Sequence, residues 1–245
     1  MESFIRACEQ GRDACKELSF VRSFNNVVIA GAGKNIISTH LIKPYLKELG
    51  VNSYISEDYE LPDTISYKTL VFVISKDGNE EEVLSNCRQA IRADCRIIAL
   101  NSSGKVSRLI EMNQDSTSIE MPDLDDIKLF GYSLYSLLTV LSNAKIIPDI
   151  TNELIQTLDM VKKHDISKIG NMISNRISDR IPMLYLSKRI QGAGLVWKYL
   201  FNSYLNRRFF FSLIPHSKYF DSNTSKDDRF YNMIFHDESD SRNIR

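Results

Sequence analysis

The stretch TLVFVISKDGNEEEVLSNCRQAIRADCRIIALNSS, residues 69–103, decides the fold. TLVFVIS (69–75) is an apolar run rich in β-branched and aromatic residues, the composition of a strand covered on both faces. Its turn, SKDGN, carries a glycine and opens a helix, EEEVLSNCRQAIRA, whose leading carboxylates suit a helix N-terminus. CRIIALNSS (95–103) then returns as a second buried strand. A strand, a helix and a strand in succession imply a parallel pair joined by a crossover helix.

The same alternation extends in both directions. Upstream, residues 2–22 read as an amphipathic lead-in helix, and VVIAGAGKN (27–35) as a buried strand ending in a glycine turn. IISTHLIKPYLKELG (36–50) has helical apolar spacing closed by Gly50; Pro44 either kinks this helix or marks the first turn of one that starts later. VNSYISE (51–57) is a strand. Downstream, GKVSRLIEMN (104–113) is a short helix and STSIEMP (116–122) an edge strand. From Leu124 to about Asn175 the pattern is mainly helical, interrupted at Pro148, with YSLYSLLTVL (132–141) as a packed core helix. Strand signals resume at IPMLYLS (181–187), followed by a helix around GLVWKYLFNSYL, then RRFFFSLIP (207–215) and FYNMIFHDE (230–238). The expectation is an α/β protein with parallel sheets flanked by helices in three layers. One lobe with its lead-in helix spans 1–147; a helical bridge and second lobe span 148–245.

Composition removes several classes of function. Lysine plus arginine equal aspartate plus glutamate at 31 each, so no overall field favours nucleic acid or an anionic membrane. No apolar run approaches the roughly 20 residues that span a bilayer, and MESFIRACEQ is unlike a secretory signal. The expected location is cytoplasmic. Cys8, Cys15, Cys87 and Cys95 have neither disulfide nor zinc spacing and read as small buried hydrophobes. His40, His164, His216 and His236 are scattered, so no metal and no cofactor is expected.

Three landmarks carry a resemblance. VVIAGAGKN resembles a GMGGS loop; SEDYELPDTISYKTLVFVISKDGNEEEVLSNCRQA resembles a Y-x-LP, TLV, S-x-S-G-N-T-E-E succession; and IIALNSSGKVSRL resembles the strand and glycine turn that follow. Further on, RIPMLYLS and Trp197–Lys198 resemble a second lobe. Together these resemble the SIS (sugar isomerase) domains of the archaeal bifunctional phosphoglucose/phosphomannose isomerase family, over most of the chain. The resemblance implies two SIS-like lobes with the second shortened, a sugar-type ligand and a homodimer.

In that family hydroxyls and backbone N–H groups at helix N-termini hold the sugar phosphate. The resemblance places the cleft at Gly31, Gly33, Lys34, Asn35, Ser75, Asp77, Gly78, Glu80 and Ser203. Asn35 stands at the serine of the GMGGS loop, and Ser75 is retained. Asp77 and Glu80 replace a serine and a threonine, exchanging donors for anions. These carboxylates either cap the following helix or turn away into solvent. Lys34 is either a solvated turn residue or a cation that neutralises one of them.

The catalytic groups are also altered. A glutamate base in W-K-x-x-x-N-E-N falls on Ser203, which lacks the basicity for aldose–ketose proton transfer. The family histidine falls on Tyr219, and an arginine falls at or beside Ile127 and Lys128. Members of that family continue into a further C-terminal segment with a catalytic lysine, and the expectation is that this chain lacks it. No catalytic residue is assigned; His216 and Asp221 form an alternative acid–base pair or are solvated loop residues. Trp197, Tyr199, Phe201 and Tyr204 are either core or interfacial. The resulting expectation is a catalytically degenerate SIS-fold protein that binds a carbohydrate derivative or serves as a partner subunit. The alternative is an active aldose–ketose isomerase with a rebuilt site.

Overall fold

The computed structural model describes residues 1–215, 217 and 227–236. Contacts divide the chain into two compact units, Met1–Asp159 and Met160–Arg245. In the first unit, five strands form a wholly parallel sheet in the order β2-β1-β3-β4-β5. They are β1 (Asn26–Gly31), β2 (Asn52–Ser56), β3 (Thr69–Ser75), β4 (Arg96–Asn101) and β5 (Ser116–Glu120). The helices are α1 (Glu2–Cys15), α2 (Ile37–Glu48), α3 (Glu81–Arg92), α4 (Gly104–Glu111) and α5 (Asp126–Asn143).

The alternation of side chains along the central strands builds two cores. Ile29, Leu70, Phe72, Ile74 and Ile98 face one side and pack with residues of α1, α2 and α5. Val28, Val71, Val73, Ile97 and Ala99 face the other and pack with α3 and α4. Every residue of β3 is buried, as expected of a strand covered on both faces. β2 and β5 are the edges. All four cysteines are buried and unpaired, and burial pushes the Cys8 and Cys87 thiols up to about 12.

Two local expectations need correction. The lead-in helix stops at Cys15 instead of reaching residue 22. The Asn143 amide donates to the carbonyls of Cys15 (2.9 Å) and Lys16 (3.4 Å), and Leu18 and the edge-to-face pair Phe20–Phe24 pack against the core. Pro44 lies inside α2, which already begins at Ile37, so it does not mark a first turn.

The second unit contains a three-stranded parallel sheet in the order β7-β6-β8. Its strands are β6 (Ile181–Ser187), β7 (Phe210–Ile214) and β8 (Phe230–Phe235). Helix α6 (Thr151–Lys163) spans the division between the units and is followed by α7 (Ile166–Ile177). Helix α8 (Gln191–Tyr199) connects β6 to β7 and ends in a π-helical turn, Leu200–Tyr204. The core is Leu184, Leu186 and Phe209, with Trp197, Phe201 and Phe235 packed against it. Trp197 stacks on Phe201 with centroids 5.7 Å apart, so these two side chains are core; Tyr204 is exposed. Of the three consecutive phenylalanines 209–211, Phe209 belongs to this core and Phe210 and Phe211 lie on β7. β7 borders only β6 among the described residues, and Phe210 is 47% exposed.

Candidate functional site

The sheet order places a topological switch between β1 and β3, because the chain leaves β1 towards β2 and leaves β3 towards β4 and β5. In such sheets a crevice opens beyond the carboxyl ends of these two strands. Here a cleft of about 540 Å³ lies there. Gly33, Lys34 and Asn35 line it from the 3-10 turn after β1, and Lys76, Asp77, Glu80 and Glu82 from the turn after β3.

Ser75, the last residue of β3, is buried. Its hydroxyl accepts from the Gly78 backbone N–H at 2.9 Å and donates to the Glu80 carboxylate. Gly78 has φ of 66°, and a Cβ there would lie 1.8 Å from the Ser103 carbonyl oxygen. Only glycine permits this approach between the β3–α3 and β4–α4 turns. The Val106 N–H donates to the Gly78 carbonyl at 2.9 Å and ties the two turns together.

The second Glu80 oxygen accepts from the Asn35 amide at 3.2 Å, and the Asn79 backbone N–H donates to Glu80 Oε2 at 3.2 Å. Glu80 occupies the N-cap position of α3, yet its side chain accepts no capping hydrogen bond from that helix. The capping expectation is therefore overturned. The carboxylate instead folds back across the ends of β1 and β3, where hydroxyl, amide and backbone donors converge. Asp77 is exposed at the rim, and its backbone carbonyl accepts from the Asn79 amide at 2.9 Å.

Both lysines of the cleft already have partners. Lys34 pairs with Asp126 at 2.6 Å, so it does not neutralise Glu80. Lys76 donates to the Leu124 carbonyl at 3.2 Å and lies 3.6 Å from Asp123. These acceptors come from the DLDD segment at residues 123–126, an acidic run that sequence reading left unassigned. It leads into α5, where the Asp125 side chain accepts from the Lys128 backbone N–H at 3.0 Å. Lys128 also hydrogen-bonds this carboxyl and holds it below the usual carboxylate range.

Gly31, Gly33, Lys34, Asn35, Ser75, Asp77, Gly78 and Glu80 are thus brought together at the carboxyl ends of β1 and β3. Ser203 belongs to the second unit, exposed in the π-helical turn. Tyr219, His216 and Asp221 lie outside the described residues. Among the described residues no group of three His, Cys, Asp or Glu side chains could hold a metal ion, and no helix is long and apolar enough to cross a membrane.

No protein-family model matches the sequence. Over 241 residues the chain is 25% identical to the bifunctional phosphoglucose/phosphomannose isomerase of Aquifex aeolicus (strain VF5), covering 95% of this chain and 72% of that protein. Identity is 28% over 230 residues with the protein of the same name from Thermoplasma volcanium, covering 91% and 71%. The chain is a SIS-fold relative of the bifunctional phosphoglucose/phosphomannose isomerases. A solved structure from Clostridium difficile 630, provisionally described as a phosphosugar isomerase, shares the fold with a TM-score of 0.74 at 14% identity. That match covers 98% of this chain and 73% of the other. Asn35, Asp77 and Glu80 all lie on the cleft between β1 and β3. The carboxylate of Glu80 is bound there by this chain's own donors.

Proposed function

We propose that this chain is a non-isomerising relative of the sugar isomerases that binds an uncharged, hydroxyl-bearing ligand, such as a non-phosphorylated sugar, beside β1 and β3. The observation that carries this reading is the Glu80 carboxylate hydrogen-bonded to Ser75, Asn35 and the Asn79 N–H. An anion with three donors is already satisfied, so an incoming phosphate would find them engaged and face a like charge. Two unit charges about 4 Å apart repel by about 4 kcal/mol at an effective dielectric of about 20. Sugar hydroxyls, by contrast, can donate to Asp77 and to the remaining lone pairs of Glu80 and accept from the second N–H of the Asn35 amide.

The absence of turnover follows from the base. The resemblance places Ser203 where proton transfer between C1 and C2 needs a carboxylate, and a serine hydroxyl without an adjacent base cannot abstract that proton. The test is a coupled assay for interconversion of fructose 6-phosphate with glucose 6-phosphate and mannose 6-phosphate. No turnover is expected. A rate that falls in Ser75→Ala would show a working phosphosugar site and end this reading.

A further inference from the structure

We propose that the second unit carries a separate anion site, built to take the phosphate of a small phosphomonoester about the size of a hexose phosphate. A pocket of about 300 Å³ lies there, where the π-helical turn after α8 passes into β7. Three cations, Lys198, Arg207 and Arg208, and two amides, Asn202 and Asn206, line it over Phe209 and Phe210, and among the described residues no carboxylate does. The volume falls at the small end of the usual range for ligand pockets, about 300–1,000 Å³.

The local chain geometry explains how these groups converge. The Arg207 N–H donates to the Phe201 carbonyl at 2.8 Å, and Asn206 takes a left-handed φ of 50°, which turns the chain back on itself. Asn202 uses its amide oxygen to accept from the Phe209 N–H at 2.9 Å, leaving the amino group as its remaining donor. Arg207 is held by backbone carbonyls, Ser178 at 2.5 Å and Arg180 at 3.4 Å, which orient the guanidinium without neutralising it. Among the described residues Lys198 and Arg208 form no ion pair.

A single cation near a helix C-terminus is accounted for by the helix dipole. Three converging cations without a counter-charge repel one another, and a bound dianion relieves that repulsion. The surrounding charge acts in the same direction. Residues 160–245 contain 15 Lys and Arg against 8 Asp and Glu, a formal net of +7. Guanidinium forks match phosphate oxygens in a bidentate manner, and the exposed Phe210 ring offers an apolar face to the rest of the ligand.

This inference does not depend on the reading of the first unit. Trp197 is the chain's single tryptophan, adjacent to Lys198 and 6.0 Å from the Phe209 ring by centroid, so its fluorescence reports on the pocket. Fructose 6-phosphate, inorganic phosphate and fructose are titrated against the full chain at low and high sodium chloride. The expected result is saturable binding of fructose 6-phosphate that weakens with salt, and no response to fructose at the same concentrations. Inorganic phosphate binding as tightly would identify the phosphate group alone as the ligand. Lys198 and Arg208 are exposed, so neutral substitutions spare the fold, which circular dichroism verifies. Lys198→Gln and Arg208→Gln should each weaken binding about tenfold, with Arg208→Lys intermediate. The absence of a fructose 6-phosphate response in the wild-type protein, or a response unchanged in both glutamine variants, would overturn the proposal.

Discussion

The cleft of the first unit and the pocket of the second have opposite chemistry. In the cleft, donors converge on a carboxylate that the chain itself supplies, and the flanking lysines are occupied by Asp126, Asp123 and Leu124. In the pocket, three cations meet with no carboxylate among the described lining residues. The units as wholes differ in the same sense. Residues 1–159 have 16 Lys and Arg against 23 Asp and Glu, a net of −7, opposite to the +7 of the remainder. A balanced net charge thus conceals two units of opposite charge.

The largest expected effect breaks the difference at Glu80. Glu80→Thr removes the internal anion and frees Ser75 and Asn35, so affinity of the first-unit cleft for fructose 6-phosphate should rise by up to about a thousandfold. Calorimetry with Lys198→Gln and Arg208→Gln already in place, which weaken the other pocket about a hundredfold, separates the two sites. Next is Gly78→Ala, which forces a side chain into a left-handed backbone position against Ser103. It should cost about 1–3 kcal/mol in urea unfolding and weaken ligand binding at the cleft. Lys34→Met sharpens the contrast with a smaller effect. Its pair with Asp126 is partly exposed and should contribute no more than about 1 kcal/mol, fading as salt is raised.

The smallest effect concerns the start of α5, which carries Asp126 towards Lys34. Asp125 has a depressed folded pKa because Lys128 and the backbone donate to it. Its stabilisation is fully present above the unfolded carboxylate pKa, about 3.9. It is lost as pH falls through the lower folded value. Acid unfolding followed by circular dichroism should therefore show a slightly weaker pH dependence in Asp125→Asn than in wild type.

Much of the fold was legible because the determining signals are local. TLVFVIS and CRIIALNSS are too apolar and too short for anything but covered strands, and SKDGN marks the turn between strand and helix. The extent of α1 was not legible, because its end depends on Asn143, which is 128 residues from Cys15. The role of Glu80 was only half legible. Its position at a helix start was clear, but the choice between helix N–H groups and Ser75 depends on Asn35, which arrives from a different strand. The basic pocket was missed for a different reason. Arg207 and Arg208 head the strand signal RRFFFSLIP (207–215), and the equality of 31 basic and 31 acidic residues hides the charge around them. Counting charge separately for each lobe would have exposed them.

The central claim is that the fold's phosphate position is filled by the chain itself. Its most direct test is calorimetry of fructose 6-phosphate, fructose and glucose against the Lys198→Gln, Arg208→Gln double variant, in which the second-unit pocket is weakened about a hundredfold, at ligand concentrations too low to fill it. The account predicts heat from a neutral sugar and none from fructose 6-phosphate. Saturable binding of fructose 6-phosphate that disappears in Ser75→Ala would contradict it.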